Sequence, residues 1–163
     1  MTTILTRSRQ ETVELGKAIG ATLKPGDVAA LSGNLGTGKT TLVTGICEAL
    51  GVRTHVASPT FTMVNEYDAR GVTIVHIDLY RVRSGEEAAG LGLEEYFDER
   101  YICLIEWPEY IRDILPACGV EVQLEYGDGE EERRISIQER LSGREMRGPK
   151  LTNPLATKGG WRQ

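Results

Sequence analysis

Apolar residues along this chain recur with two different periods. After Ser8, residues Leu15, Ala18, Ile19 and Leu23 fall on one side of a 3.6-residue repeat, and Ser8-x-x-Glu11 has the capping-box spacing that opens a helix. Pro25-Gly26 marks its end. VAALSG, at 28–33, is a short unbroken apolar run and predicts a buried strand. Leu42, Val43, Ile46 and Leu50 then form one stripe, so 39–50 predicts a second helix. Segments around 62–68 and 72–77 predict two strands joined by a turn at Asp68–Gly71. Residues 86–97 are expected to be helical despite two glycines, and YICLIEW at 101–107 is expected to be a buried parallel strand. Pro108 suits the first turn of a further helix reaching about Leu115. VEVQLEY and RRISIQE alternate with period two around a Gly-Asp-Gly turn, which predicts a hairpin at the edge of the sheet. Strands alternating with helices predict one layered α/β domain over residues 1–142. Its sheet should be mostly parallel, with antiparallel additions and flanking helices.

Composition narrows this little, but charge placement matters. The 163 residues are typical of one globular domain, and 26% are charged. No apolar run approaches a bilayer span, and MTTILTRSRQ lacks the order of a secretory leader. The expected setting is therefore cytoplasmic, with no membrane partner. Cys47, Cys103 and Cys118 sit in apolar surroundings without CxxC spacing, so they are expected as reduced core residues. Neither His55 nor His76 completes a zinc pattern with them. Residues 1–139 carry 13 basic and 23 acidic side chains, whereas 140–163 carry six basic and one acidic. Residues 143–163 are expected to be a basic, flexible tail.

Between the first predicted strand and the second helix lies LSGNLGTGKTT, residues 31–41. Gly33 to Thr40 fits G-x-x-x-x-G-K-[ST] in the strand–loop–helix context that gives the motif its meaning. Gly33, Leu35, Gly36, Thr37 and Gly38 supply a backbone that can fold its N–H groups around an anion, and the helix start adds positive potential. Lys39 is expected at the β- and γ-phosphates and the Thr40 hydroxyl on Mg2+. The fold expected is therefore of the P-loop NTPase type. Phosphate chemistry also requires an acid near the metal. Asp78 and Glu106 each close an apolar run, which directs a carboxylate to the crevice beyond the strand ends. At least one of them is expected to serve the metal or a water. Ser58-Pro59-Thr60-Phe61 is placed either to sense a terminal phosphate or simply to turn the chain. No NKxD guanine signature is present, which favours adenine.

These stretches together resemble one family, the bacterial tRNA threonylcarbamoyladenosine biosynthesis ATPases called TsaE or YjeE. ETVELG, GNLGTGKTT, SPTFTMVNEY, HIDLYR, LGLEEYF and ICLIEWPE carry the likeness, in the family's order, within residues 10–138. The resemblance implies an ATPase that binds ATP and Mg2+ and works with TsaB and TsaD. Contact with tRNA would be indirect, through that complex, and no DNA is involved. It further implies that Lys39, Asp78 and Glu106 are catalytic, with Glu106 the acid at the metal and Asp78 orienting water or an outer metal ligand. Thr41 would lie beside the phosphates, Thr60 in a switch-like segment, and Thr12 and Arg134 near the nucleotide. Asn34 and Thr37 depart from the family's usual acidic residue and alanine. Two other readings of the same residues remain: a small-molecule or nucleoside kinase, and a non-catalytic module that uses ATP to lock a binding surface.

Overall fold

The computed structural model describes residues 1–117, 119–140 and 154–155, without the side chain of Arg140. Its elements run β1 (Thr2–Thr6), α1 (Arg9–Gly20), β2 (Val28–Ser32), α2 (Lys39–Leu50), β3 (Val64–Ala69), β4 (Val72–Asp78) and α3 (Gly85–Ala89). A 3₁₀ turn at Leu93–Tyr96 precedes β5 (Tyr101–Glu106), and two more, Pro108–Tyr110 and Arg112–Ile114, precede β6 (Gly119–Tyr126) and β7 (Arg133–Arg140).

Seven strands form one sheet in the order β1-β7-β6-β2-β5-β4-β3. β2 lies parallel to both β5 and β6, and β4 lies parallel to β5. The outer pairs, β3 with β4, β6 with β7 and β7 with β1, are antiparallel. The predicted α/β architecture thus has a parallel centre with antiparallel flanks.

Burial explains this division. On β2, Ala29 and Leu31 enter one apolar cluster while Val28 and Ala30 enter another on the opposite face. On β5, Ile102 and Leu104 are divided in the same way from Cys103 and Ile105. Strands covered on both faces read as continuous apolar runs, as these two do. β6 differs: Val120, Val122 and Leu124 face the larger cluster, with polar Glu121, Gln123 and Glu125 between them. The larger cluster is roofed by α1 and α2 through Leu15, Ile19, Leu42 and Ile46. Gly16 and Gly45 let these helices nearly touch: a Cβ on Gly16 would lie 2.3 Å from the Leu42 carbonyl oxygen, and one on Gly45 would lie 2.1 Å from that of Val13.

Three expectations are corrected, and one strand was not foreseen. The β6–β7 hairpin is not at the edge, because β1 pairs outside it in register from Thr2↔Ile137 to Thr6↔Arg133. β1 leaves little trace in the sequence because only Ile4 and Thr6 are buried. The helix expected over 86–97 is five residues long and stops before Gly90, and Gly92 at φ 65 turns the chain into the 3₁₀ segment. The helix expected after Pro108 is two 3₁₀ turns, interrupted at Ile111, where φ is −121.

Ser8 does cap α1, accepting the Glu11 N–H at 3.1 Å, although the Glu11 carboxylate returns to the N–H of Arg7 instead of Ser8. Cys47 and Cys103 are buried, and desolvation pushes each thiol up to about 12, so neither is a nucleophile near neutrality. Cys118 and most of the expected tail lie outside the described residues. Of that tail, Leu155 is partly buried and packs against the larger cluster. Among the described residues no helix is long and apolar enough to cross a membrane.

Candidate functional site

The parallel strands β2, β4 and β5 all point the same way, so their last residues converge on one edge of the sheet. There the chain leaves β2, loops through residues 33–38 and enters α2. Gly33, Gly36 and Gly38 have φ of 144, 78 and 97, a region closed to most side chains. Gly38 is the N-cap of α2 and supplies no side-chain cap, which leaves the helix's first N–H groups open to an anion.

Lys39 is the first residue of α2 and is only 4% exposed. Its Nζ donates to the carbonyls of Gly33 at 2.7 Å and Asn34 at 3.0 Å, and lies 4.0 Å from the Trp107 ring centroid. Burial lowers its pKa, with the charges of Glu106, Asp78 and Glu109 acting in the opposite direction. The ammonium is thus held inside its own loop and desolvated.

Asp78 and Glu106, read separately from two apolar runs, are direct register partners across β4 and β5. Both are 3% exposed. Glu106 Oε1 accepts the Thr40 hydroxyl at 2.9 Å and faces His76 Nε2 at 2.9 Å. An ionised carboxylate only accepts, so in that state the histidine carries its proton on Nε2. His76 Nδ1 is buried and has no hydrogen-bond partner among the described residues. Asp78 Oδ1 accepts the Tyr80 N–H at 2.9 Å, and its Oδ2 faces the hydroxyls of Ser58 at 3.0 Å and Thr60 at 2.9 Å. Those hydroxyls are also 2.7 Å from each other, so two protons serve three contacts.

Leu35, Gly36, Gly38, Lys39, Thr40, Thr41, Thr60, Asp78 and Glu106 all line one open pocket of about 320 Å³, together with Ser58, Tyr80 and Trp107. Gly33 and Thr37 belong to the loop behind it. Thr12 lines an adjoining recess of about 160 Å³ with Arg9, Thr41 and Arg133. Its hydroxyl bonds to Thr6 and the Ser8 carbonyl, so it offers the recess a wall and no free donor. Arg134 is not brought to either pocket. Arg133 shares a face of β7 with buried Ile135 and Ile137, and strand alternation sends Arg134 to the other face.

Trp107 follows Glu106 in the left-handed region, with φ 60 and ψ 57, a conformation that costs a non-glycine residue about 1–2 kcal/mol. The turn lays its ring 5.0 Å from that of Tyr80 and over Lys39. Sequence reasoning overlooked His76 as a site residue. Its signal was the two-residue spacing to Asp78, which places both side chains on the same face of β4.

Thr40, Glu106 and Asp78 offer hard oxygen atoms in one place, a donor set suited to a small divalent cation that keeps waters and shares phosphate oxygens. The glycine loop between β2 and α2, its lysine and the paired acids define a P-loop NTPase-type α/β protein. The model of the family described as "Threonylcarbamoyl adenosine biosynthesis protein TsaE" matches residues 6–135. A tRNA threonylcarbamoyladenosine biosynthesis protein TsaE from Bacillus subtilis is 40% identical over 128 residues, covering 78% of this chain and 79% of that protein. One of the same name from Treponema pallidum is 36% identical over 133 residues, covering 81% and 98%. The crystal structure of Bacillus subtilis YdiB superposes with a TM-score of 0.72 at 34% identity, covering 86% of each chain. The chain belongs to the TsaE family.

Proposed function

We propose that this protein is a Mg2+-dependent ATPase of the cytoplasm that serves formation of threonylcarbamoyladenosine in tRNA, acting with TsaB and TsaD. The observation that carries the chemistry is the Thr40–Glu106 hydrogen bond at the open N-terminus of α2. It joins the phosphate cradle to an acid from a different strand at the position expected of a metal ligand. The names of the relatives support the pathway, and the family resemblance supports the partners.

The residues divide the work as follows. The N–H groups of the loop and of the first turn of α2 hold the phosphate chain, and Lys39 leaves the carbonyls of Gly33 and Asn34 to neutralise the β- and γ-oxygens. Thr40 and Glu106 would hold Mg2+, with Asp78 beside Glu106 in the strand register to orient an attacking water. The ion supplies Lewis-acid neutralisation of phosphate charge when bound. Asp78 and the Ser58 and Thr60 hydroxyls orient water for in-line attack on the γ-phosphorus. Trp107 and Tyr80 exclude bulk solvent from Lys39. No arginine approaches the γ-phosphate position among the pocket-lining residues, so turnover by the isolated protein is expected to be slow.

The test is reconstitution with TsaB, TsaD, ATP and unmodified tRNA, following phosphate release and nucleoside modification together. The reading requires both to depend on this protein and both to fall in Glu106→Gln. Unchanged modification when the protein is omitted would remove the pathway assignment. Transfer of the γ-phosphate to a small acceptor in place of water would redirect it to a kinase.

A further inference from the structure

Where the carbonyls of the glycine loop are anchored determines where its N–H groups point. In a trans peptide the C=O and N–H of one plane point in opposite directions, so anchoring a carbonyl outward holds the following N–H inward. Four successive carbonyls here have partners. Those of Gly33 and Asn34 are held by Lys39, and that of Asn34 also by the N–H and hydroxyl of Thr37. The Leu35 carbonyl accepts the Tyr126 hydroxyl at 2.5 Å, and the Gly36 carbonyl accepts from the Arg133 guanidinium at 3.4 Å.

We propose that Tyr126, the last residue of β6, is a positioning residue. Its hydroxyl fixes the Leu35–Gly36 peptide so that the Gly36 N–H faces the phosphate chain. This rests on the nucleotide-binding reading above. Lys39 cannot perform this task, because it bonds the carbonyls of Gly33 and Asn34 and not that of Leu35, and gives them up when an anion enters. Tyr126 acts from outside the loop and keeps its bond when the pocket fills. Nothing in the tip itself replaces it: the Leu35 side chain is 66% exposed.

The surrounding geometry supports a built contact. A Cβ on Gly36 would come within 2.8 Å of the Tyr126 hydroxyl oxygen. Two residues earlier on the same strand, the Leu124 carbonyl oxygen would lie 2.3 Å from a Cβ on Gly33. β6 therefore presses against the loop at two of its glycines. The Arg133 guanidinium lies over the Tyr126 ring at 4.8 Å and is itself fixed by the carbonyls of Glu130 and Glu132 at 2.9 and 2.8 Å. The hairpin thus holds the tyrosine that holds the loop.

Tyr126→Phe removes the hydroxyl and keeps the ring. Titration calorimetry with Mg-ATP, Mg-ADP and pyrophosphate, on wild type and variant, is the test. All three are expected to bind about three- to tenfold more weakly, by a common factor, because each uses the same N–H group. The KM for ATP is expected to rise by the same factor, and the melting temperature of the ligand-free protein to be unchanged, because the hydroxyl is at the surface. Unaltered affinity in the variant would overturn the proposal, as would a loss of affinity accompanied by a destabilised ligand-free fold. If wild type itself binds none of the three, it is the nucleotide reading that falls, and the two failures are told apart.

Discussion

The two walls of the pocket are built by different means. The glycine loop is shaped by its own backbone, by Lys39 from inside and by β6 from outside, and every carbonyl from Gly33 to Gly36 is held. The facing wall, Ser58 to Met63, is moored at Asp78. The Asp78 N–H donates to the Met63 carbonyl at 2.9 Å, and its carboxylate takes the Ser58 and Thr60 hydroxyls. The Met63 N–H closes the turn onto the Pro59 carbonyl and the Thr62 hydroxyl bonds Asn65, while Phe61 is 82% exposed with Arg81 over its ring at 4.4 Å. One wall has its shape before any ligand arrives. The other shares a carboxylate with the site, so a change at Asp78 reaches the surface at Phe61.

The comparison is broken most severely at Lys39. Lys39→Met keeps the stem and removes the charge, and should lower ATP turnover by about 10²–10³-fold. Phosphate release measures this, and near-normal turnover would leave the cradle without a catalytic part. Glu106→Gln is next, with turnover falling about 10²-fold and the Mg2+ needed for half-maximal rate rising. ADP affinity measured without Mg2+ should hold or rise, because Glu106 bonds the cradle through Thr40 and its charge opposes the phosphates. Asp78→Asn sharpens the contrast between the walls. Hydroxyl bonds to a neutral amide are weaker than those to a carboxylate, so amide exchange in residues 58–63 should quicken about fivefold. Residues 33–38 should exchange at their wild-type rate, and equal acceleration in both walls would show that they are one unit.

What could be read from the sequence divides along the same line. The loop, β2 and α2 were legible because their signal is contiguous: glycines, a lysine and a threonine at fixed spacing between an apolar run and a helical stripe. Asp78 and Glu106 were legible one at a time, since each ends an apolar run, but their pairing required the β4–β5 register. Parity decided Arg133 against Arg134. The period-two alternation already puts Arg133 on the side of Ile135 and Arg134 on the other, but no local feature marked which of the two sides meets the glycine loop. β1 depends on pairing with β7, more than a hundred residues away in sequence, and its own five residues bury too little to announce it. Tyr126 gave no local signal at all, because its function depends on where β6 lies beside the loop.

The smallest expected effect concerns what the preformed wall costs the fold. Burial holds the Lys39 ammonium below its ordinary pKa of 10.5, so the folded state disfavours the charged form. That cost is carried in full below the folded-state pKa. It is relieved as pH rises through the folded-state pKa toward 10.5, where the unfolded chain also loses its proton and the benefit levels off. In the ligand-free protein, Lys39→Met removes the buried charge at every pH, and water can take over the carbonyls of Gly33 and Asn34 in the open pocket. The variant's melting temperature at pH 7 should therefore equal the wild-type value or exceed it by about 2–4 °C. The gap should narrow as pH rises into the window where wild-type Lys39 also loses its charge. A variant that melts well below wild type at pH 7 would mean that the two carbonyl bonds outweigh the desolvation, and that Lys39 braces the loop as well as serving the phosphate.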